Sequence, residues 1–300
     1  MTKQAILIIA HNHPAQLHKL LRALDSEYFD IFLHIGKDSK LRATDFIPDC
    51  TISKLHIYKK LRVRWSGYSQ VRAEVFLLKQ ATKADHYGHY HLISGADMPI
   101  KTPRQIYDFF NSHKNNEFIS FQQKTILPEH LDWIRYYYIF RQHSRNSRIA
   151  FHLENLSVKI QEKLHINRLR NDTTTYMKGT NWFSITDAFA RYVVEHSDSL
   201  KHKYKLSKSA DEIFLHTLLF NSPFRNNLYS AKYNDSQSAC MRHIDWKRGD
   251  PYIFRSSDYE ELIHSKNMFA RKFDETIDAA IIDKIYNYVK RPEGTNAKMA

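Results

Sequence analysis

Along the first third of the chain, short apolar runs alternate with stretches in which apolar residues recur every three or four positions. Residues 5–10 are an uninterrupted apolar run, the pattern of a strand buried on both faces of a parallel sheet. Residues 29–35, 55–59 and 90–93 read as further strands. Between them, Pro14 suits the first turn of a helix over 14–24, with Leu17, Leu20, Leu21 and Leu24 at helical spacing. Residues 69–81 predict a second helix through Val71, Val75 and Leu78, beside Phe76 and Leu77. Thr102 is the candidate N-cap of a third, running to Phe110. This rhythm predicts an α/β fold with a mostly parallel sheet and helices on both faces.

Residues 122–175 break the rhythm. They carry Arg135-Tyr136-Tyr137-Tyr138, then Arg141, Arg145 and Arg148, and a helix over 152–164 with Leu153, Leu156, Ile160 and Leu164 on one face. A polar loop follows over 167–175. The stretch reads as a helical insertion that shapes an acceptor site or faces an anionic membrane, with a solvated insertion as the plain alternative. Further helices are predicted over 186–196, 211–220, 258–265 and 275–289, with strand-like pieces near Leu228 and Ile244. The expected organisation is one domain over 1–290 and a frayed tail over 291–300.

Charge narrows the partners. The formal net charge of +13 favours something anionic: nucleic acid, a membrane surface or a phosphorylated small molecule. Cys50 and Cys240 have no metal-type or redox-type spacing, as expected of a reduced, cytosolic protein. The opening apolar run is too short for a secretory leader or a membrane span. A cytoplasmic location is expected, with peripheral contact at the inner face of the membrane.

Several chemistries lose their usual support. No two aspartates are separated by one residue, so the Asp-x-Asp pair that holds Mg²⁺ or Mn²⁺ on a diphosphate is missing. Glycine-rich phosphate loops and a nucleophile elbow are missing as well. His86, His89 and His91 resemble a metal cluster, but the segment supplies no further ligand, and ordinary strand residues are the preferred reading. Ser209-Ala210-Asp211-Glu212 is either a capping box, with Ser209 and Glu212 bonding reciprocally, or a carboxylate exposed at a helix start as a general base. Arg271-Lys272, between Phe269 and Phe273, is either a surface cluster or an anion clamp.

Five segments then line up in order. Ile93-Ser94-Gly95-Ala96-Asp97-Met98-Pro99, Gly179-Thr180-Asn181-Trp182-Phe183-Ser184, Ala210-Asp211-Glu212-Ile213-Phe214, Arg242-His243-Ile244-Asp245-Trp246 and Phe269-Ala270-Arg271-Lys272-Phe273-Asp274 resemble motifs of the core-2/I-branching N-acetylglucosaminyltransferases and peptide O-xylosyltransferases. The resemblance spans about residues 4–290. It implies a GT-A-like nucleotide-sugar-binding fold and an inverting glycosyltransferase that needs no metal or other cofactor. Carried over, it makes Glu212 the catalytic base, Arg242 and Lys272 the cations on the UDP diphosphate, and Trp65 the ring against uracil. Asp97, Gly179 and Thr180 fall in the donor-side motifs. The family's nucleoside aspartate is replaced by Gly36, with Asp38 as the substitute. On the acceptor side the pattern does not carry over, and the candidates are Arg135, Tyr136 and Trp182. The implied donor is a UDP-sugar, UDP-GlcNAc first and UDP-xylose next. The implied acceptor is a hydroxyl of a glycan or lipid-linked oligosaccharide. Two non-enzyme readings stay beside this one: a basic nucleic-acid-binding protein, for which no RNP1, KH or zinc pattern is found, and a sugar-binding module without catalysis.

Overall fold

A computed structural model describes residues 1–144 and 147–291. Arg145 and the tail over 292–300 lie outside the described residues. The elements run β1 (Gln4–Ala10), α1 (Pro14–Leu24), β2 (Phe29–Ile35), β3 (Leu55–Tyr58), α2 (Ser69–Ala84), β4 (His89–Ser94), β5 (Asp97–Pro99), α3 (Pro103–Ser112) and β6 (Phe118–Phe121). There follow α4 (Pro128–Arg135), α5 (Arg141–Ser144), α6 (Arg148–Lys163), β7 (Gly179–Thr186), α7 (Asp187–Glu195), α8 (Ser197–Tyr204) and α9 (Phe214–Phe220). The chain ends with β8 (Arg242–Ile244), α10 (Tyr259–His264), β9 (Phe269–Arg271) and α11 (Ala279–Val289).

Six strands form the central sheet in the order β3-β2-β1-β4-β7-β6. β3, β2, β1 and β4 are parallel, and β7 runs antiparallel to both β4 and β6. Side chains alternate across the pleat, so each strand feeds two cores. Ile6 and Ile8 of β1 join Leu17, Leu20 and Leu21 of α1 and Ile281, Ile282 and Ile285 of α11 on one face. Ala5 and Leu7 join Val71 and Leu78 of α2 and Phe189 of α7 on the other. This is why residues 5–10 of β1 are all apolar: both faces of the strand are covered. The expected mostly parallel sheet flanked by helices is therefore what the chain forms.

A second sheet, β5-β9-β8, sits at the end of the first. β5 continues almost directly from β4 and pairs antiparallel with β9, setting Asp97 opposite Arg271. β8 pairs parallel with β9. α4, α5 and α6 lie between β6 and β7 and belong to neither sheet. Thr102 caps α3 through a full capping box with Gln105, as its position predicts. The piece near Leu228 makes a single bridge to Glu117. The predicted helix over 211–220 divides into one 3₁₀ turn, Ala210–Glu212, and α9. Among the described residues, no helix is long and apolar enough to cross a membrane.

Candidate active site

The carboxyl-terminal ends of β1, β2 and β4 lie along one edge of the central sheet. In an α/β sheet that edge is where ligands bind. Because β7 is antiparallel to β4, with His91 opposite Ser184, the first residues of β7 reach the same edge. Trp182 is therefore brought under Arg271, the partner of Asp97, while Gly179 and Thr180 open the strand, Gly179 opposite Phe121 of β6. Gly179 admits no side chain, since a Cβ there would stand 1.8 Å from the Ser120 carbonyl oxygen and 2.6 Å from His216 Nε2. At the β1–β4 junction, Gly95 N donates to the Ile9 carbonyl, and Gly36 N donates to that of Ala10.

Asp97 is buried here. Its carboxylate accepts from Ser94 N (2.8 Å), Ser94 Oγ (2.9 Å) and Arg271 NH1 (2.9 Å). The Arg271 guanidinium also lies 4.3 Å above the Trp182 ring. Lys272 follows directly and is half-buried. Burial, then the charges of His13 and Lys272, lowers the pKa of His11, at the end of β1. Arg271 and Lys272 thus stand together at the sheet edge, in line with the anion-clamp reading.

Arg242 does something else. Its side chain is almost completely enclosed, at 2% exposure. NH2 donates to the carbonyls of Leu92 (2.9 Å) and Phe183 (2.8 Å), while NH1 donates to Ser184 Oγ (3.2 Å) and to the Cys240 carbonyl. The guanidinium stacks 4.7 Å over Phe269. Burial lowers its pKa to about 10. Arg242 staples β4 and β7 to the second sheet, its terminal nitrogens donating to three backbone carbonyls and to Ser184 Oγ. The sequence pairs Arg242 with Lys272; in the fold the guanidinium next to Lys272 along the chain is that of Arg271, and Arg242 lies buried behind it on β8.

On the base side, Glu212 is partly exposed and pairs with Lys178 Nζ at 2.9 Å. Lys178 precedes β7 and lies 5.5 Å over the Trp133 ring of α4, on which Lys208 also lies, at 5.3 Å. The capping-box alternative fails on geometry. Ser209 has φ 42°, in the left-handed region, and makes no side-chain cap bond. Its hydroxyl meets that of Ser66 at 2.6 Å, and its N–H donates to the Ser66 carbonyl. Behind Glu212 are two buried acids. Burial, then the charge of Glu212, raises Asp211 to about 7. Burial, then Asp211, holds Glu74 well above the usual carboxylate range, against a hydrogen bond from Asn181.

The nucleoside candidates are also adjacent. Asp38 is exposed and pairs with Arg62 (3.0 Å) and Arg64 (2.7 Å). Trp65, 63% exposed, follows Arg64 at the head of the loop that contains Ser66. Arg64 thus ties Asp38 to the loop of Trp65, which the Ser66–Ser209 contact joins to the turn of Glu212. Of the acceptor candidates, Trp182 is at the edge, under Arg271. Arg135 pairs with Asp132 of its own helix at 2.7 Å, and the carbonyls of Arg135 and Tyr136 accept from Arg168. His89 and His91 are core residues. His91 bonds Ser184 Oγ and Gln4 Oε1, and His89 bonds the Asn116 carbonyl. Lys178, Trp133 and Glu74 belong to the site, and no motif marks them; the one signal for Lys178 is its place immediately before Gly179.

The chain is 22% identical over 342 residues to xylosyltransferase 2 of Rattus norvegicus, covering 100% of this chain and 35% of that protein. It is 21% identical over 322 residues to xylosyltransferase 1 of Homo sapiens, covering 97% and 31% respectively. The chain thus spans about a third of the length of these curated relatives. Among solved structures it is similar to S. aureus TarS 1-349, with a TM-score of 0.40, 11% identity, and coverage of 74% of this chain and 56% of that one. The model of the Core-2/I-Branching enzyme family matches residues 5–266, and the chain belongs to that family.

Proposed function

We propose that the chain is a glycosyltransferase that moves a sugar from a UDP-sugar to a hydroxyl of a glycan or lipid-linked oligosaccharide, inverting the anomeric centre without a metal. One observation carries this reading: the partly exposed carboxylate of Glu212 pairs with Lys178, just before β7, and Arg271, followed by Lys272, lies over Trp182 of that same strand. Glu212 takes the proton of the acceptor hydroxyl as its oxygen attacks C1. Lys178 holds that carboxylate until the hydroxyl arrives. The UDP leaving group gathers charge on its β-phosphate, which Arg271 and Lys272 balance. Asp97 supports the metal-free reading, because its carboxylate is already neutralised by Arg271. Trp65 stacks on the uracil, from the loop that Arg64 ties to Asp38. The family resemblance supports UDP-GlcNAc as donor, and the relatives named xylosyltransferases support UDP-xylose.

The test is sugar transfer and UDP release from UDP-xylose and UDP-GlcNAc in excess EDTA. Turnover is expected to survive. Loss in EDTA with recovery on adding Mn²⁺ overturns the metal-free part. UDP binding without turnover on any donor makes the chain a sugar-nucleotide-binding module instead.

A further inference from the structure

Helix α6 is built inside out for a helix resting on a protein. Its buried positions are polar: Glu154, whose carboxylate pairs with Arg141 at 3.1 Å, and Gln161, which accepts from Tyr137 N and donates to the Tyr137 carbonyl. Among its exposed positions is an apolar set. Ile149 (74% exposed), Leu153, Leu156, Ile160 and Leu164 (65%) recur at spacings of four and three and form one stripe. Ile139 and Tyr137 extend the stripe sideways into a shallow groove of about 380 Å³ that Leu153, Leu156, Ile160 and Ile166 complete. Soluble surfaces rarely carry a contiguous apolar patch of this extent without a partner.

Charge identifies the partner. Arg148, Lys159, Lys163 and Arg170 are exposed on and just beyond the helix, with His152 and His165. Within residues 148–170 the only exposed acid is Glu162, since Glu154 is buried against Arg141. An apolar stripe flanked by cations fits an anionic lipid surface, where the stripe enters the boundary between headgroups and acyl chains and the cations meet phosphate. Two copies of this face would set like charges against each other. We propose that α6 is an in-plane docking helix that holds the protein on an anionic phospholipid bilayer.

The same helix is connected to the base. Arg141, bound to Glu154, also donates from NH2 to Ser66 Oγ at 2.6 Å, and Ser66 Oγ meets Ser209 Oγ. Docking therefore sets the turn of Glu212 at a fixed height above the lipid. An acceptor hydroxyl carried on a lipid could reach it without leaving the membrane. That last consequence rests on the function proposed above; the docking itself does not.

The test is co-sedimentation of the full chain with vesicles of phosphatidylcholine alone and of phosphatidylcholine mixed with phosphatidylglycerol. The expected result is about tenfold or greater partition to the anionic vesicles, weakened by salt. The double variant Leu156→Ser/Ile160→Ser should lose most of that binding, and Lys159→Glu/Lys163→Glu should lose the preference for anionic lipid. Both should keep a melting temperature near wild type and the wild-type UDP affinity, because these side chains are exposed and belong to neither buried core. Equal partition to both vesicles, no partition, or unchanged binding by the double variant overturns the proposal. A dimer in sedimentation velocity that Leu156→Ser/Ile160→Ser abolishes, with no vesicle binding, assigns the face to a second copy instead. Failure of vesicle binding with UDP turnover intact leaves the transferase reading standing.

Discussion

Arg242 and Arg271 stand on adjacent strands of one three-stranded sheet, and they do opposite work. Arg242 points into the joint between the two sheets and gives its donors to backbone carbonyls. Arg271 is partly exposed, braced by Asp97 and Trp182 beside Lys272. The difference is one of enclosure. A guanidinium surrounded by fixed acceptors is committed to the fold. One held from below by a single carboxylate keeps donors for an incoming anion. Residue type and motif membership do not distinguish these cases; the packing around each side chain does.

The sharpest way to test the open side is through its base. Glu212→Gln keeps the shape and the contact to Lys178 but removes the basicity. The expected loss in kcat is on the order of 10²–10⁴-fold with UDP binding retained, read by single-turnover transfer. Normal turnover would remove Glu212 from the mechanism.

Arg242→Met attacks the enclosed side. It leaves buried carbonyls without donors, and stability should fall by about 3 kcal/mol in urea unfolding. Arg271→Met should also cost stability, because it strips the buried Asp97 carboxylate of its cation, but unlike Arg242→Met it should weaken UDP binding, roughly 10–100-fold, the worth of one charge-assisted hydrogen bond. If the two variants exchange these signatures, the comparison is wrong.

Asp211 gives the most specific effect, one read only from its dependence on pH. Its pKa in the folded chain, about 7, lies above its ordinary value of 3.8. The folded state therefore holds a proton that the unfolded chain has lost, and the stabilisation from that proton disappears as pH rises between those two values. Asp211→Asn, which cannot ionise, should gain stability over wild type progressively from about pH 4 to about pH 7 and level off above, by up to a few kcal/mol, at about 1.4 kcal/mol for each pH unit between those two values. A pH-independent difference in melting temperature would show that Asp211 is already charged in the fold.

Much of the fold was legible from periodicity. The apolar residues of α1 predicted its bounds, because a stripe facing a core leaves a 3.6-residue signature. β1 read correctly because both its faces are covered. The site was less legible. Ser209 and Glu212 have capping-box spacing, yet Ser209 bonds Ser66, a partner 143 residues away that local spacing does not encode. Lys178 has no motif of its own and becomes part of the site only when β7 delivers it. The stripes of α6 and α11 look alike in sequence. Ile281, Ile282 and Ile285 of α11 meet α1, whereas Leu156 and Ile160 of α6 meet no covering element. Periodicity names the face of a helix and leaves open what covers it.

The paired hydroxyls of Ser66 and Ser209 have a consequence for how this sequence can drift. Both residues hold left-handed backbones, at φ 61° and 42°. Their side chains are 2.6 Å apart, so neither position has room for a larger residue while the other stays serine. A change at one is tolerated only with a matching change at the other. Descendants of this chain should therefore vary at positions 66 and 209 together, glycine or another small polar residue replacing both. The loop that carries Trp65 and the turn that carries Glu212 would then be inherited as one unit, despite the long stretch of chain between them.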